Sequence, residues 1–375
     1  MAKKVKVALI YDFDGTLAPG NMQEYDFIPA VGKSNKEFWT EANTLAEEQD
    51  ADMVLTYMAR MLQEAKSKGL SLRREAFQDS GRRVTLYKGV KEWFEQFEQP
   101  VLKEVDISGI NSPNAILMQA RGGKILGEIN GEAQIYPASM TKIMTVILGI
   151  ENFDDLDEKI TLTDEMFAGL YEQDATQAGF QPGEEVRVID LLYGAMLPSG
   201  AECCIALADT ISGSEADFAE LMNKKARKLG MENTHFCDST GLHNPDHYST
   251  VKDIAVLMKY CIKNDTFREI IETARHSTGV TNIHPDGITY YSTMFKNLSD
   301  PTVTGGKILG GKTGYTSEAG HCLVSFAEIE GREYIFVSAG ASGADGNTIP
   351  HIQDAVTVYN RVGAAIEAKM NDNNK

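Results

Sequence analysis

Apolar runs of strand length alternate along the chain with longer stretches of helical period. Residues 5–11 (VKVALIY) are a near-continuous apolar, β-branched run, the pattern of a strand buried on both faces. Residues 21–97 then read largely as helix, as in NKEFWTEANTLAEEQDADMVLTYMARMLQEAKSKG. Residues 114–130 hold two strand-like runs around Arg121-Gly122-Gly123, a hairpin signal. Near the end, HCLVSFAEIEGREYIFVSAG repeats that plan around Glu330-Gly331-Arg332. The stretch between the two hairpins is long and mostly helical, and a final amphipathic helix is predicted over about 352–369. Hairpins at both ends with helices between them predict an α/β (α+β) fold. One antiparallel sheet is assembled from the two ends and flanked by helices.

Composition narrows the classes. The 375 residues suffice for two to three average domains, and 42% apolar with 24% charged residues is the balance of a globular chain with a sizeable core. The formal net charge of −18 repels phosphate backbones and anionic membrane surfaces, which argues against nucleic acid as a partner. That charge is uneven: the first hundred residues carry −2, the remainder −16, and all seven histidines follow residue 234. Two unlike segments joined near residue 100 are expected, 1–97 and 98–375. No run approaches the roughly 20 apolar residues of a transmembrane helix. The N-terminus begins basic and turns apolar, but Asp12 and Asp14 interrupt it and no small-residue cleavage site follows, so it reads as a strand rather than an export signal. Five cysteines include no C-x-x-C pair. Adjacent Cys203 and Cys204 lie in the apolar run AECCIALADTI and are expected as buried helix residues, not as a disulfide or zinc site.

Directly after the first strand comes Asp12-Phe13-Asp14-Gly15-Thr16-Leu17. Two carboxylates at i and i+2 repel, and a magnesium ion would offset that with oxygen ligation. One could then attack a phosphoryl group while the other handles the proton. The segment resembles the first motif of the haloacid-dehalogenase-like phosphatases. That resemblance implies Asp12 as nucleophile, Asp14 as acid/base, and 21–97 as a helical cap. The family's Ser/Thr, Lys and late acidic pair have no counterpart after residue 97, since Asp154-Asp155 falls in a loop of the next domain. The segment therefore reads as a truncated strand-plus-cap fragment, with Mg2+ expected only if it were functional.

Three short motifs carry the chemistry of the larger segment. In Tyr136-Pro137-Ala138-Ser139-Met140-Thr141-Lys142, Pro137 and Ser139 are expected to start a helix running through IMTVILGI. Ser139 and Lys142 at i and i+3 then share a face, so the amine can reach the hydroxyl. A serine is a weak nucleophile without a base, and lysine can be one only if burial or a neighbouring cation lowers its pKa. Ser199-Gly200-Ala201 follows the apolar helix LLYGAML and Pro198, where a serine on a short loop could relay a proton. Gly310-Gly311-Lys312-Thr313-Gly314-Tyr315-Thr316 precedes the last hairpin and is expected as an edge-facing strand. Lys312 would bring a second cation toward Lys142, Thr313 offers a hydroxyl to a carboxylate, and Gly314 leaves room for a chain laid along the strand. His243 and His247, spaced i, i+4, would suggest a metal pair on a helix, but Pro245 and Asp246 between them predict a loop.

In this order, S-M-T-K, S-G-A and K-T-G resemble the signature of penicillin-binding proteins and serine β-lactamases. With Pro-Ala-Ser-Met-Thr-Lys, Gly183-Glu184 and the stretch from Gly241 to Thr250, residues 105–365 resemble the low-molecular-mass D-alanyl-D-alanine carboxypeptidases. The resemblance implies a β-lactamase/DD-peptidase-like sheet flanked by helices and catalysis by Ser139 as nucleophile, Lys142 as acylation base and Ser199 as proton relay. It also implies that Lys312 and Thr313 bind the substrate carboxylate, and that the backbone of Ser139 and Tyr315 forms the oxyanion hole. The implied substrate is a peptidoglycan stem peptide ending in D-Ala-D-Ala. β-Lactams should acylate the same serine, and no cofactor is implied. The family pattern has Asn where Ala201 stands, which predicts a slower enzyme.

Three rival readings remain: a non-catalytic penicillin or muropeptide binder, a serine β-lactamase (for which Glu220-Leu221-Met222-Asn223 is only a loose match), and a phosphatase. The family's substrate lies outside the cytoplasmic membrane, so an extracytoplasmic location is expected from the resemblance. Taken literally, a chain with no export signal would stay in the cytoplasm.

Overall fold

A computed structural model describes residues 24, 27–48, 53–70, 102–298, 300–343 and 349–373. The chain divides into two compact units, Met1–Glu98 and Gln99–Lys375. The strand expected over 5–11 and the carboxylates Asp12 and Asp14 lie outside the described residues.

In the first unit, helices Asn35–Glu48 and Met53–Lys68 pack on each other. The first begins at a reciprocal cap: the Glu37 amide donates to Ser34 Oγ, and the Ser34 amide donates to Glu37 Oε2 at 2.9 Å. Ile28, Phe38, Ala42 and Ala65 are buried in this unit. Lys33, Arg60, Glu41 and Glu64 form an ion-pair cluster beside them.

Among the described residues, the second unit has ten strands. The first hairpin is β1 (Asn114–Gln119) and β2 (Ile125–Ile129). Two short hairpins interrupt the helical middle: β3 (Lys159–Thr161) with β4 (Glu185–Arg187), and β5 (Arg275–Ser277) with β6 (Thr289–Tyr291). The final strands are β7 (Thr302–Val303), β8 (Gly306–Thr316), β9 (Gly320–Ile329) and β10 (Arg332–Ala341). The main sheet runs β2-β1-β10-β9-β8-β7, with every neighbouring pair antiparallel. The two predicted hairpins join along β1 and β10, from Asn114 opposite Ala339 to Gln119 opposite Tyr334.

Side-chain alternation buries both faces of this sheet. Ile116, Met118, Val324, Phe326, Ile335 and Val337 join the core beneath the helical layer. Ala115, Leu117, Leu323, Tyr334 and Phe336 face a second core built with Val358, Tyr359, Val362 and Ile366. Those four lie on the last helix, Pro350–Asn373, which extends beyond 352–369 at both ends; at its start Pro350 suits a first helical turn. The three-residue strands β3 to β6 went unpredicted, being too short to carry a period of two.

Candidate active site

The 3-10 turn Ala138–Thr141 carries Ser139, and the α-helix starts only at Lys142 and runs to Asn152. This corrects the expected helix start at Pro137–Ser139. Residue Ala138 sits at φ 46°, a left-handed value costly for a residue with a Cβ, and it turns the chain sharply into the serine. In a 3-10 turn, positions i and i+3 eclipse. The Lys142 amine accordingly donates to Ser139 Oγ at 2.9 Å. It donates also to the Thr240 carbonyl at 2.7 Å, from a loop nearly a hundred residues away in sequence.

That loop can approach because of Gly241. At φ 80°, a Cβ there would stand 1.9 Å from the Ala138 carbonyl oxygen. Asp238 organises the loop: its Oδ1 accepts from the Thr240 amide, the Thr240 hydroxyl and the Gly241 amide, each at 2.7 Å. Its Oδ2 lies 3.2 Å from His247 Nδ1, and His247 Nε2 lies 2.9 Å from Thr141 Oγ1. His247 is therefore a buried loop residue tied to the serine-bearing turn. His243 instead packs edge-on against Tyr136, with ring centroids 4.8 Å apart.

Ser199 lies between helices Val188–Met196 and Ala201–Ser212, at φ 72°, and is buried. Its Oγ accepts from Lys312 Nζ at 3.0 Å. Lys312 is fully buried and donates also to the Thr313 carbonyl at 2.9 Å. Its strand, β8, is paired with β7 only at Gly306 and Lys307, so the stretch bearing Lys312, Thr313, Gly314 and Tyr315 has β9 on one side and an open edge on the other. Gly314 lies against the Ser139 turn, where a Cβ would be 3.0 Å from the Ser139 amide nitrogen. Tyr315 is exposed, and its ring leans on His321 of β9 at 4.6 Å. Ala201 is buried at the start of its helix, and its amide donates to the Thr176 carbonyl.

Burial lowers the pKa of both lysines, and the charge on Lys142 depresses Lys312 further. For Lys142, the anionic forms of Cys204 and Asp238 oppose burial. Asp238 would be raised by burial, but bonds from His247, Thr240 and Gly241 outweigh that and hold it at about 2. Glu202, one residue past Ala201, is buried, and desolvation raises its pKa despite amide donors from Ala178 and Gly179. Glu220 is exposed on helix Glu215–Leu229.

Sequence reasoning found Ser139, Lys142, Ser199 and the Lys312 strand, and the structure brings these together. It missed Thr240, whose contribution is a backbone carbonyl and leaves no side-chain signature. It also missed Thr293, whose hydroxyl lies 2.7 Å from that of Thr313. Asp238 could have been found, since Asp-Ser-Thr-Gly is a turn signal with a carboxylate able to cap it.

The fold is that of the DD-transpeptidases. The crystal structure of the Streptomyces K15 DD-transpeptidase superposes with a TM-score of 0.62 at 28% identity, covering 70% of this chain and all of that one. Among curated proteins, the D-alanyl-D-alanine carboxypeptidase DacF of Bacillus subtilis is 35% identical over 231 residues, 61% of this chain and 57% of its own length. The carboxypeptidase DacC of Escherichia coli is 33% identical over 262 residues, 63% of this chain and 58% of its own length. This chain thus spans under two thirds of those two relatives. The D-alanyl-D-alanine carboxypeptidase family model matches residues 101–343, and the chain belongs to that family. The matched region leaves out Asp12 and Asp14. Among the described residues, no helix is long and apolar enough to cross a membrane.

Proposed function

We propose that the chain is a serine D-alanyl-D-alanine carboxypeptidase acting on peptidoglycan stem peptides. The observation that carries this reading is the double lysine–serine contact, Lys142 on Ser139 and Lys312 on Ser199, gathered from three distant segments into one buried site. A buried, neutral Lys142 takes the Ser139 proton as Oγ attacks the carbonyl carbon between the two terminal D-alanines. The Ser139 and Tyr315 amides receive the developing oxyanion. Ser199 passes a proton to the departing amine of D-alanine. Water then attacks the acyl-enzyme and frees Ser139.

Thr313 and Lys312 receive the terminal carboxylate, whose arrival favours the ammonium form of Lys312. Gly314 lets the peptide lie along the open edge of β8. β-Lactams, which mimic the scissile bond and carry a carboxylate, acylate the same serine. The site works without a cofactor. Its substrate places the working enzyme outside the cytoplasmic membrane.

Exposed Glu220 faces solvent and gives no support to the β-lactamase reading. A non-catalytic binder is the second reading, favoured by Ala201, whose methyl offers no hydrogen bond to a lysine or a substrate amide. For 1–97 we retain only a truncated phosphatase-like segment, resting on D-x-D-G-T-L, with magnesium-dependent phosphate release as its test.

The decisive experiment is intact mass after incubation with a penicillin, for wild type and Ser139→Ala. One covalent adduct that the substitution abolishes is expected, with D-alanine released from a D-Ala-D-Ala peptide. An unmodified wild type overturns the mechanism, and an adduct without D-alanine release leaves the binder.

A further inference from the structure

We propose that Asp238 is a positioning residue for the Lys142 amine: its carboxylate fixes the turn that presents the Thr240 carbonyl to Lys142 Nζ, and it supplies the permanent negative charge that amine faces. This rests on the serine acylation proposed above and names what sets the base's working range.

The geometry is a closed clamp. One carboxylate oxygen takes all three donors of the Thr240–Gly241 turn, so the Thr240 carbonyl is left pointing at Lys142, 2.7 Å away. The other oxygen lies 3.2 Å from His247 Nδ1, a ring nitrogen that can either donate to that carboxylate or accept from the Cys237 amide, also at 3.2 Å. The far nitrogen of that ring reaches Thr141, the residue before Lys142. Asp238 therefore touches the serine-bearing turn by two routes, one ending on Lys142 and the other on its neighbour. With one N–H spent on Thr240, the lone pair of a neutral Lys142 is free to be aimed at Ser139 Oγ.

Other groups face Lys142 too. Helix Ala201–Ser212 contributes Glu202, Cys203 and Cys204, and β8 contributes Lys312. Burial drives Glu202 toward its neutral form, pushes Cys204 up to about 12, and raises Cys203 well above the ordinary thiol range. Asp238, held at about 2, is the acid among these that stays charged over the whole pH range in which an enzyme would be assayed. An anion beside a buried amine favours the ammonium. Asp238 thus keeps Lys142 from becoming a neutral, weaker base at too low a pH, while its turn keeps the amine directed.

The test is the pH dependence of the second-order acylation rate with a chromogenic cephalosporin, for wild type, Asp238→Asn and Asp238→Glu. Deprotonation of Lys142 gives an acid limb. Asp238→Asn removes the anion, so the limb moves to lower pH by roughly one unit, the scale of a single charge lost beside a buried group. Asp238→Glu keeps the charge and leaves the limb within about 0.3 units of wild type, whatever happens to its plateau. A limb that stays put in Asp238→Asn overturns the proposal, even if the plateau falls, because a residue that merely holds the loop would slow the reaction equally at every pH. Should Asp238→Asn not accumulate as folded protein, Asp238→Ser replaces it with the same expected shift. A wild type that takes no acyl group, or a Ser139→Ala variant that still does, sinks the acylation reading itself and this inference with it. An immobile limb on a normally acylated wild type sinks only the inference.

Discussion

The Thr293 hydroxyl lies 2.7 Å from the Thr313 hydroxyl, joining the helix Thr293–Asn297 to the strand that carries Lys312. The Thr293 amide is itself held by the Leu197 carbonyl, two residues before Ser199. Thr293 thus stands between the second and third motifs, its hydroxyl against the Thr313 hydroxyl that we propose receives the substrate carboxylate.

Replacing Thr293 by valine keeps the shape and deletes the bond. A net hydrogen bond is worth about 0.5–1.5 kcal/mol, so KM for a D-Ala-D-Ala peptide should rise about 3- to 10-fold. The turnover number should hardly change, because nothing at Ser139 is disturbed. Steady-state kinetics on a D-alanine release assay separates the two, and a fall in kcat at constant KM would remove Thr293 from substrate binding.

Ala201 is the departure from the family pattern with a chemical consequence. Its side chain is 1% exposed at the first turn of its helix, two residues past Ser199. Ala201→Asn should speed penicillin acylation by about 5- to 10-fold, the worth of one contact near 1 kcal/mol. Stopped-flow acylation rates check this. A slower variant of unchanged thermal stability would mean that the site works around alanine.

Gly241 bears on fold and site at once. Its φ of 80° and the 1.9 Å approach to the Ala138 carbonyl leave no room for a methyl group. Gly241→Ala must push the Thr240 loop away from the Ser139 turn. A loss of about 3 kcal/mol or more in urea unfolding is expected, from backbone strain and overpacking together. Acylation should fall further than the folded fraction does, because the Thr240 carbonyl leaves Lys142.

Much of this arrangement was legible in the residues, and the illegible part has physical reasons. Hairpins at 114–130 and 321–340 announced themselves by apolar runs and turn residues, and their joining along β1 and β10 follows from two apolar ribbons that each need a partner. Ser139 and Lys142 were visible because a spacing of three is short-range. Their support was not: Thr240 acts through its backbone, Ala138 by a φ value, and Thr293 through a contact twenty residues away in sequence. The strands β3 to β6 were hidden because three residues are too few to show an alternation.

Stability in acid depends on a buried histidine. His351, 5% exposed at the start of the final helix, stacks on His321 with ring centroids 5.0 Å apart and planes 3° from parallel. Burial, with the neighbouring imidazole adding to it, depresses the His351 pKa from 6.5 to about 4. The unfolded chain therefore binds a proton below about pH 6.5 that the folded chain refuses until about pH 4. The contribution of this residue is fully present above pH 6.5 and is lost as pH falls toward 4, a drop of up to about 3 kcal/mol. His351→Phe keeps a flat ring in the stack and cannot take up the proton. Urea unfolding at pH 7 and at pH 4.5 should show a smaller acid loss in His351→Phe than in wild type, by about 2–3 kcal/mol. Equal losses in the two proteins would show that the proton enters elsewhere, with the carboxylates paired in the folded state as the first place to look.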